Sequence, residues 1–424
     1  KVGFISSYFR WHSVGRLTVG LLEQLSRRTE TTGLQIFIVD TSSSAGEDGD
    51  TTTTTEEETS GNDMTTASND PTKMARETVA ALALDVLVFA DVGMSALTTA
   101  LAHSRLAPVQ VAFWGHPATT GLRASMDYFV TSDVFEGDYI SYGNINHHQN
   151  NDQDAGGLSD CRKNLRDDYN LGRQSAFSEQ LVRLGGLGIV FDDPAETFSR
   201  PNGRAGKHRE AEVSSAPQEP SKQERNSHGH RRPRLYICAQ SLMKMHPSFD
   251  HVIAKVLTGD RLAQIILLRD SRQLLWHARF QRRLRHGTGD GGSLWGRVRF
   301  VSPMSASEFF ALQCRADVVL DPFPFGGGVT IIEALACGTP VVTAGALQSV
   351  HRLAEGMIAV IADMKHLVAS SSEEYAEKAI AVAQPGLLRE SVVRALSEIE
   401  GRDALLRGNG VAEDWEIFLR RATA

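Results

Sequence analysis

Cysteine is scarce in this 424-residue chain: there are four, at Cys161, Cys238, Cys314 and Cys337. None stands in a Cys-x-x-Cys pair, so the spacing indicates neither a zinc site nor a disulfide framework, and a reducing compartment is expected. An excess of positive charge is also missing. The 44 Lys and Arg against 51 Asp and Glu leave a formal net charge of −7, so no global basic field invites nucleic acid. No apolar run reaches the ~18 residues that cross a bilayer, so no membrane partner is expected. No GxGxxG follows the first strand pattern and no GxxxxGK[ST] occurs, which argues against dehydrogenases and P-loop nucleotide hydrolases. No repeat of solenoid period is present. The chain opens on Lys1 rather than Met, with a strand pattern starting at once, as expected of a piece of a longer protein.

What is there reads as ordinary globular protein, 22% charged and 41% hydrophobic, long enough for two cores. Three stretches cannot bury enough apolar surface to offset their ordering entropy. Residues 41–72 are Ser, Thr, Asp and Glu-rich, and residues 136–177 are rich in Asn, Asp, Gln and Gly. Residues 200–234 mix Pro and Ser with Lys and Arg. The first two read as insertions, the third as an interdomain linker. Elsewhere short apolar runs alternate with helical periodicity. Residues 2–6 read as a buried strand, and 14–27 as a helix with Leu17, Leu21, Leu22 and Leu25 on one face. The alternation restarts after the linker, with strands at 235–239, 263–268, 298–301, 318–320 and 341–343 and helices between them. Pro247 suits a first helical position, and Ser305 with Glu308 suits a capping box. Two such blocks predict two doubly wound α/β domains, 1–199 and 235–424.

The strongest chemical signal is Asp321-Pro-Phe-Pro-Phe-Gly-Gly-Gly-Val-Thr330, running to Glu333 and Gly338-Thr-Pro340. A strand ends at Asp321, a glycine loop follows, and a helix begins. Gly326, Gly327 and Gly328 let bare backbone approach a ligand, and a helix N-terminus suits phosphate. Thr330 adds a hydroxyl. Glu333, one turn on, is expected to accept from a ribose diol, and Asp321 to anchor the turn. With the dinucleotide and P-loop fingerprints absent, a nucleotide sugar is the natural diphosphate ligand.

This segment resembles the donor-binding region of glycosyltransferase family 41, the protein O-GlcNAc transferases and Spindly-type protein O-fucosyltransferases. Other segments agree in order. Lys1-Val-Gly-Phe-Ile-Ser-Ser-Tyr-Phe-Arg-Trp-His12-Ser is similar to the family's opening strand and histidine loop. Leu106-Ala-Pro-Val-Gln-Val-Ala-Phe-Trp-Gly-His-Pro-Ala-Thr-Thr-Gly121, followed by Met126-Asp-Tyr128, is similar to its APxQ…WxGxPxTxG…MDY segment. Gln240-Ser-Leu-Met-Lys244-Met-His-Pro247 is similar to its lysine loop. The resemblance implies a GT-B architecture and inverting, metal-independent transfer of GlcNAc from UDP-GlcNAc to Ser or Thr hydroxyls of acceptor proteins. The alternatives are GDP-fucose as donor, a nucleotide-sugar epimerase of the same fold, or a non-catalytic binding scaffold. It also implies a cytoplasmic or nuclear protein, with tetratricopeptide repeats upstream that this chain lacks.

Residue by residue, the resemblance puts Lys244 at the donor diphosphate and His12 beside acceptor and sugar. Arg269 faces the nucleotide, and Thr119, Thr120 and Gly121 shape the loop facing the sugar. His116 is an acceptor-side candidate. Asp85 and Gln110 read as scaffold. Ser307 and Ser241 stand where the animal enzymes carry Lys and Gln, and Gly328 and Val329 where they carry His and Thr.

Overall fold

The computed structural model describes residues 1–10, 12–42, 70–113, 119–136, 174–199, 232–269, 274–287, 294–345, 351–362, 364–408 and 410–424. His116, Cys161 and most of the three low-complexity stretches lie outside the described residues.

The first half forms a six-stranded parallel sheet from β1 (Val2–Ser6), β2 (Ile36–Asp40), β3 (Val86–Phe89), β4 (Val109–Phe113), β5 (Tyr128–Ser132) and β6 (Gln180–Leu184), in the order β2-β1-β3-β4-β5-β6. Its central strands are buried on both faces because side chains alternate sides along each strand. Val86 and Val88 enter one core, while Leu87 and Phe89 enter another on the opposite face. Helix α1 (Ser13–Arg27) buries the predicted Leu17, Leu21, Leu22 and Leu25.

The second half builds a second parallel sheet from β7 (Arg234–Cys238), β8 (Ala263–Leu268), β9 (Val298–Val301), β10 (Val318–Leu320), β11 (Val341–Ala344) and β12 (Val368–Ala369), in the order β12-β11-β10-β7-β8-β9. The helices of this half include α2 (Pro247–Gly259), α3 (Ala306–Cys314), α4 (Val329–Ala336) and α5 (Ser372–Ala383). Pro247 opens α2, and Ser305 and Glu308 cap α3 reciprocally, as their spacing predicts.

Past residue 386 the backbone turns extended at Glu398 (φ −66°, ψ 140°) and splits a helix over Leu387–Ser397 from one over Ile399–Leu406. No Gly or Pro marks that break. The last helix, α6 (Val411–Ala422), packs on the first sheet rather than the second. Trp415 is fully buried there, its ring 4.8 Å from Phe113 and 5.8 Å from Phe4, and its Nε1 donates to Gly188 O at 3.1 Å. A buried Trp with its N–H satisfied is a strong tether.

Each sheet reverses its direction of growth once, and ligands of open α/β sheets bind at that point, beyond the strand C-termini. In the first sheet the reversal lies between β1 and β3, which lead to His12 and Asp91. In the second it lies between β7 and β10, which lead to Lys244 and to Asp321 with the glycine loop.

Candidate functional site

The second switch point gathers Lys244, Gln240, Thr330, Asp321 and the glycine loop into one hydrogen-bonded cluster. Lys244 Nζ donates to Gln240 Oε1 at 2.9 Å and to Gly326 O at 2.8 Å, and lies 4.6 Å from the Phe325 ring centroid. Gln240 Nε2 in turn donates to Thr330 Oγ1 at 2.5 Å. Lys244 has three donors, and among the described residues no hydrogen bond takes the third. Burial pulls its pKa below the usual lysine value, with the Asp321 carboxylate opposing.

Asp321 is the buried anchor the sequence suggests. Its Oδ1 accepts from Gly327 N at 2.7 Å and its Oδ2 from Thr343 Oγ1 at 2.8 Å, while Tyr375 of α5 donates to its carbonyl at 2.9 Å. Burial pushes the Asp321 carboxyl up to about 6, against the opposing pull of these donors and Lys244. The expectation that the glycine backbone is open to a ligand needs refinement. Gly327 N is turned inward onto Asp321, and a side chain on Gly326 would strike the same carboxylate. The open donors are those at the start of α4. Its N-cap Gly328 has no side chain to satisfy them, and Ile331 and Ile332 already bond Gly328 O.

Glu333 departs from its predicted role. It is only 3% exposed, Arg16 Nη1 of α1 meets its Oε1 at 2.5 Å, and Gln313 Nε2 donates to its Oε2 at 3.1 Å. Rather than facing a ribose, it ties the two halves of the chain together. The Arg16 guanidinium lies 5.1 Å from the Phe191 ring centroid and 5.6 Å from that of Phe198.

At the first switch point, His12 caps α1, its Nδ1 accepting from Val14 N at 3.3 Å. Its ring lies 4.5 Å from that of Tyr8. Burial lowers its pKa, and the Asp91 carboxylate partly offsets this. A neutral ring whose Nδ1 accepts carries its proton on Nε2. With Nδ1 accepting, His12 presents an Nε2 donor. Asp91 is fully buried, and its Oδ2 accepts from Ser7 N at 2.9 Å and Thr98 Oγ1 at 3.3 Å.

The Thr119–Gly121 loop is held by a residue that the sequence does not single out. Glu179 accepts from Thr119 Oγ1 at 2.7 Å, from Thr120 N at 2.8 Å and from the Thr120 hydroxyl. Burial alone would raise its pKa, but these hydroxyl donors outweigh it and hold the carboxyl below the usual range. Gly121 follows in the left-handed region, φ 73°. An acid just before an edge strand carries no sequence signal of such a role. Gln110 is scaffold, its amide bonded to Leu106 N and Ser125 O, and Asp85 N donates to Lys1 O at 2.9 Å beside β1. Arg269 is exposed just beyond β8. Among the described residues, no hydrogen bond joins His12, Thr120 or Arg269 to the Lys244 cluster, and no group of three or more His, Cys, Asp or Glu is placed to hold a metal ion. No helix there is long and apolar enough to cross a membrane.

Across its whole length the chain superposes on a mutant O-GlcNAc transferase of Thermobaculum terrenum, with a TM-score of 0.68 at 20% identity, covering 67% of that chain. The fold is GT-B. A second likeness is to HepE of Anabaena in complex with UDP and glucose, with a TM-score of 0.51 at 11% identity over 99% of both chains. Over 104 residues the chain is 30% identical to the "Probable UDP-N-acetylglucosamine--peptide N-acetylglucosaminyltransferase SPINDLY" of Solanum lycopersicum. It is 27% identical to the protein of that name from Eustoma exaltatum subsp. russellianum. The matched stretch is 24% of this chain and 11% of each relative. No family model matches the chain.

Proposed function

We propose that the chain is a glycosyltransferase that moves GlcNAc from UDP-GlcNAc to Ser or Thr hydroxyls of proteins, inverting the anomeric carbon without a metal ion. The observation that carries this reading is the placing of Lys244 beside the glycine loop, at the switch point of the second sheet and next to the uncapped start of α4. The SPINDLY and O-GlcNAc transferase likenesses support it.

In the reaction the acceptor hydroxyl attacks the anomeric carbon from the face opposite UDP, the bond from that carbon to the UDP oxygen breaks, the hydroxyl proton passes to water or to the departing phosphate, and negative charge builds on the departing diphosphate. An ammonium held in a partly desolvated site stabilises that charge. Lys244 supplies it, and the first-turn N–H groups of α4 and the Thr330 hydroxyl add neutral donors. His12 donates through Nε2 to sugar or acceptor. Thr120 and Gly121, braced by Glu179, line the sugar side, and Arg269 faces the nucleotide. Glu333 serves indirectly, by keeping α1 against α4. The acceptor proteins belong to the cytoplasm or nucleus, in line with the resemblance.

The test is calorimetric titration with UDP, GDP, UDP-GlcNAc and GDP-fucose in the presence of a chelator, followed by an acceptor screen. Binding of the UDP ligands with chelator present is the expected result. Preference for GDP ligands would turn the reading to fucosyl transfer. No binding of any ligand would make the chain a non-catalytic scaffold.

A further inference from the structure

Gln240, just past the end of β7, is only 6% exposed and joins two groups of different kind, an ammonium and a hydroxyl. Lys244 Nζ carries donors and no acceptor, so the amide atom it meets at 2.9 Å is the oxygen. The amide nitrogen then faces Thr330 Oγ1, and it too can only donate. The ammonium thus sets the direction of both bonds. Thr330 Oγ1 accepts, and its own proton is left over. Among the described residues no hydrogen bond takes it. Thr18, inside α1, spends the same proton on Val14 O at 2.9 Å. Gly327 keeps the space for this chain of bonds, since a Cβ there would meet both Gln240 Nε2 and Thr330 Oγ1.

We propose that Gln240 is a positioning residue, fixing the Thr330 hydroxyl as a donor to the diphosphate of a bound nucleotide. The inference rests on the donor reading above. A hydroxyl rotor without a fixed partner can turn either a proton or a lone pair toward phosphate. Here the bond from Gln240 occupies a lone pair before any ligand arrives, so the proton is what remains to offer. Each bond in the chain also strengthens the next, because an amide whose oxygen accepts from a cation donates better through its nitrogen. Gln240→Glu nearly keeps the shape and reverses the polarity. An ionised carboxylate has acceptors alone, so Thr330 must spend its proton on it and turn a lone pair outward.

The experiment titrates the whole chain calorimetrically with UDP and, in parallel, with GDP, at pH 8, where a carboxylate bonded to Lys244 is ionised. Kd for whichever diphosphate binds is compared among the unmodified chain, Thr330→Val, Gln240→Glu and the double variant. The new negative charge weakens binding by itself, so the quantity read is the cost of Thr330→Val in each background. The expected cost is about tenfold in the unmodified chain, where a hydrogen bond to a charged group is lost. With Gln240→Glu in place it is less than about twofold, because the hydroxyl no longer contributes. Thr330→Ser, which keeps the hydroxyl, should bind as the unmodified chain does. Equal costs of Thr330→Val in the two backgrounds would overturn the inference, because Glu imitates a Gln that merely fills space. So would a Thr330→Ser chain as weak as Thr330→Val. Gln240→Met is the second background should Gln240→Glu not fold. It frees the hydroxyl to turn, so Thr330→Val should again cost less than in the unmodified chain, and an equal cost overturns the inference. If the unmodified chain binds neither diphosphate, the donor reading falls and takes the inference with it. Binding with equal costs removes the inference alone.

Discussion

Arg16 and Glu333, 317 positions apart, meet at 2.5 Å and join the first helix of one GT-B half to the glycine-loop helix of the other. The carboxylate side chain is 4% exposed and the guanidinium 24%. Breaking a buried pair by removing one partner costs about 3–5 kcal/mol, because the other charge is left uncompensated. Partial exposure of Arg16 puts Arg16→Ala at the low end, about 3 kcal/mol. Glu333→Gln keeps an acceptor for Arg16 and leaves unpaired only the guanidinium, the more exposed of the two charges, so its loss should be smaller. Urea unfolding of the two variants measures the difference, and equal losses would show that the charge is not what matters.

Lys244 makes the sharpest catalytic prediction. Its ammonium is held by hydrogen bonds to Gln240 and Gly326 and stands in no salt bridge, so removing it breaks no direct ion pair, and Asp321 loses only a longer-range cation. Lys244→Ala should cut kcat by about 10²–10³-fold, the usual loss when one preorganised donor to developing charge is removed. Its Tm should stay near that of the unmodified chain. Lys244→Arg should not rescue, because a planar fork cannot place its donors where a compact ammonium does. Turnover that survives Lys244→Ala would end the transferase reading.

How much of this is legible in the sequence divides along one physical line. Strand and helix order follows from local apolar periodicity, and so do the loops at strand ends, which is why Asp321 can be found before the fold; Lys244 is singled out by its resemblance to the family's lysine loop. Pairings across long separations leave no local trace. In the sequence Arg16 is one more polar residue on an amphipathic helix, and Glu333 an acid one turn past a glycine loop. Glu179 is invisible for the same reason. The tautomer of His12 depends on its being the cap of α1, a matter of backbone geometry that no residue spacing records.

The three loop glycines are not equivalent. A Cβ on Gly326 would meet the Asp321 carboxylate, and one on Gly327 would meet Gln240 Nε2, Thr330 Oγ1 at 2.7 Å and Ile331 Cγ1 at 3.0 Å. On Gly328 the nearest atom is Leu353 Cδ1 at 3.9 Å. Gly326→Ala and Gly327→Ala should each cost about 1–3 kcal/mol by overpacking. Gly328→Ala should cost at most about 1 kcal/mol, the weaker capping preference of Ala. Thermal unfolding of the three variants orders them, and a Gly328→Ala chain as unstable as the others would contradict this packing.

His12 separates two functions that one substitution can split. Asn is a good N-cap and Ala is not, so His12→Ala should cost about 1 kcal/mol while His12→Asn should leave stability nearly unchanged. Both remove the Nε2 donor, so both should lower turnover alike. If His12→Asn retains full turnover, the residue is only a cap.

Asp321 gives the pH signature of the site. Its carboxyl titrates near 6 in the folded chain against an ordinary 3.8. Between those values the folded state holds a proton that the unfolded state has lost, so this group's contribution to stability falls as pH rises from about 4 to about 6 and is level above. The two-unit difference is on the order of 3 kcal/mol. Asp321→Asn removes that titration while keeping an oxygen for Gly327 N. Its stability relative to the unmodified chain should therefore improve as pH rises from 4.5 to 7.5, read from Tm at matched pH. Turnover should move the other way. Lys244 loses the carboxylate that helps keep it protonated, so the variant should be less active at pH 7.5. The unmodified enzyme should lose activity as pH falls through about 6, where Asp321 takes up its proton. A pH profile of Tm unchanged by Asp321→Asn would show that the loop is anchored by something other than this carboxylate.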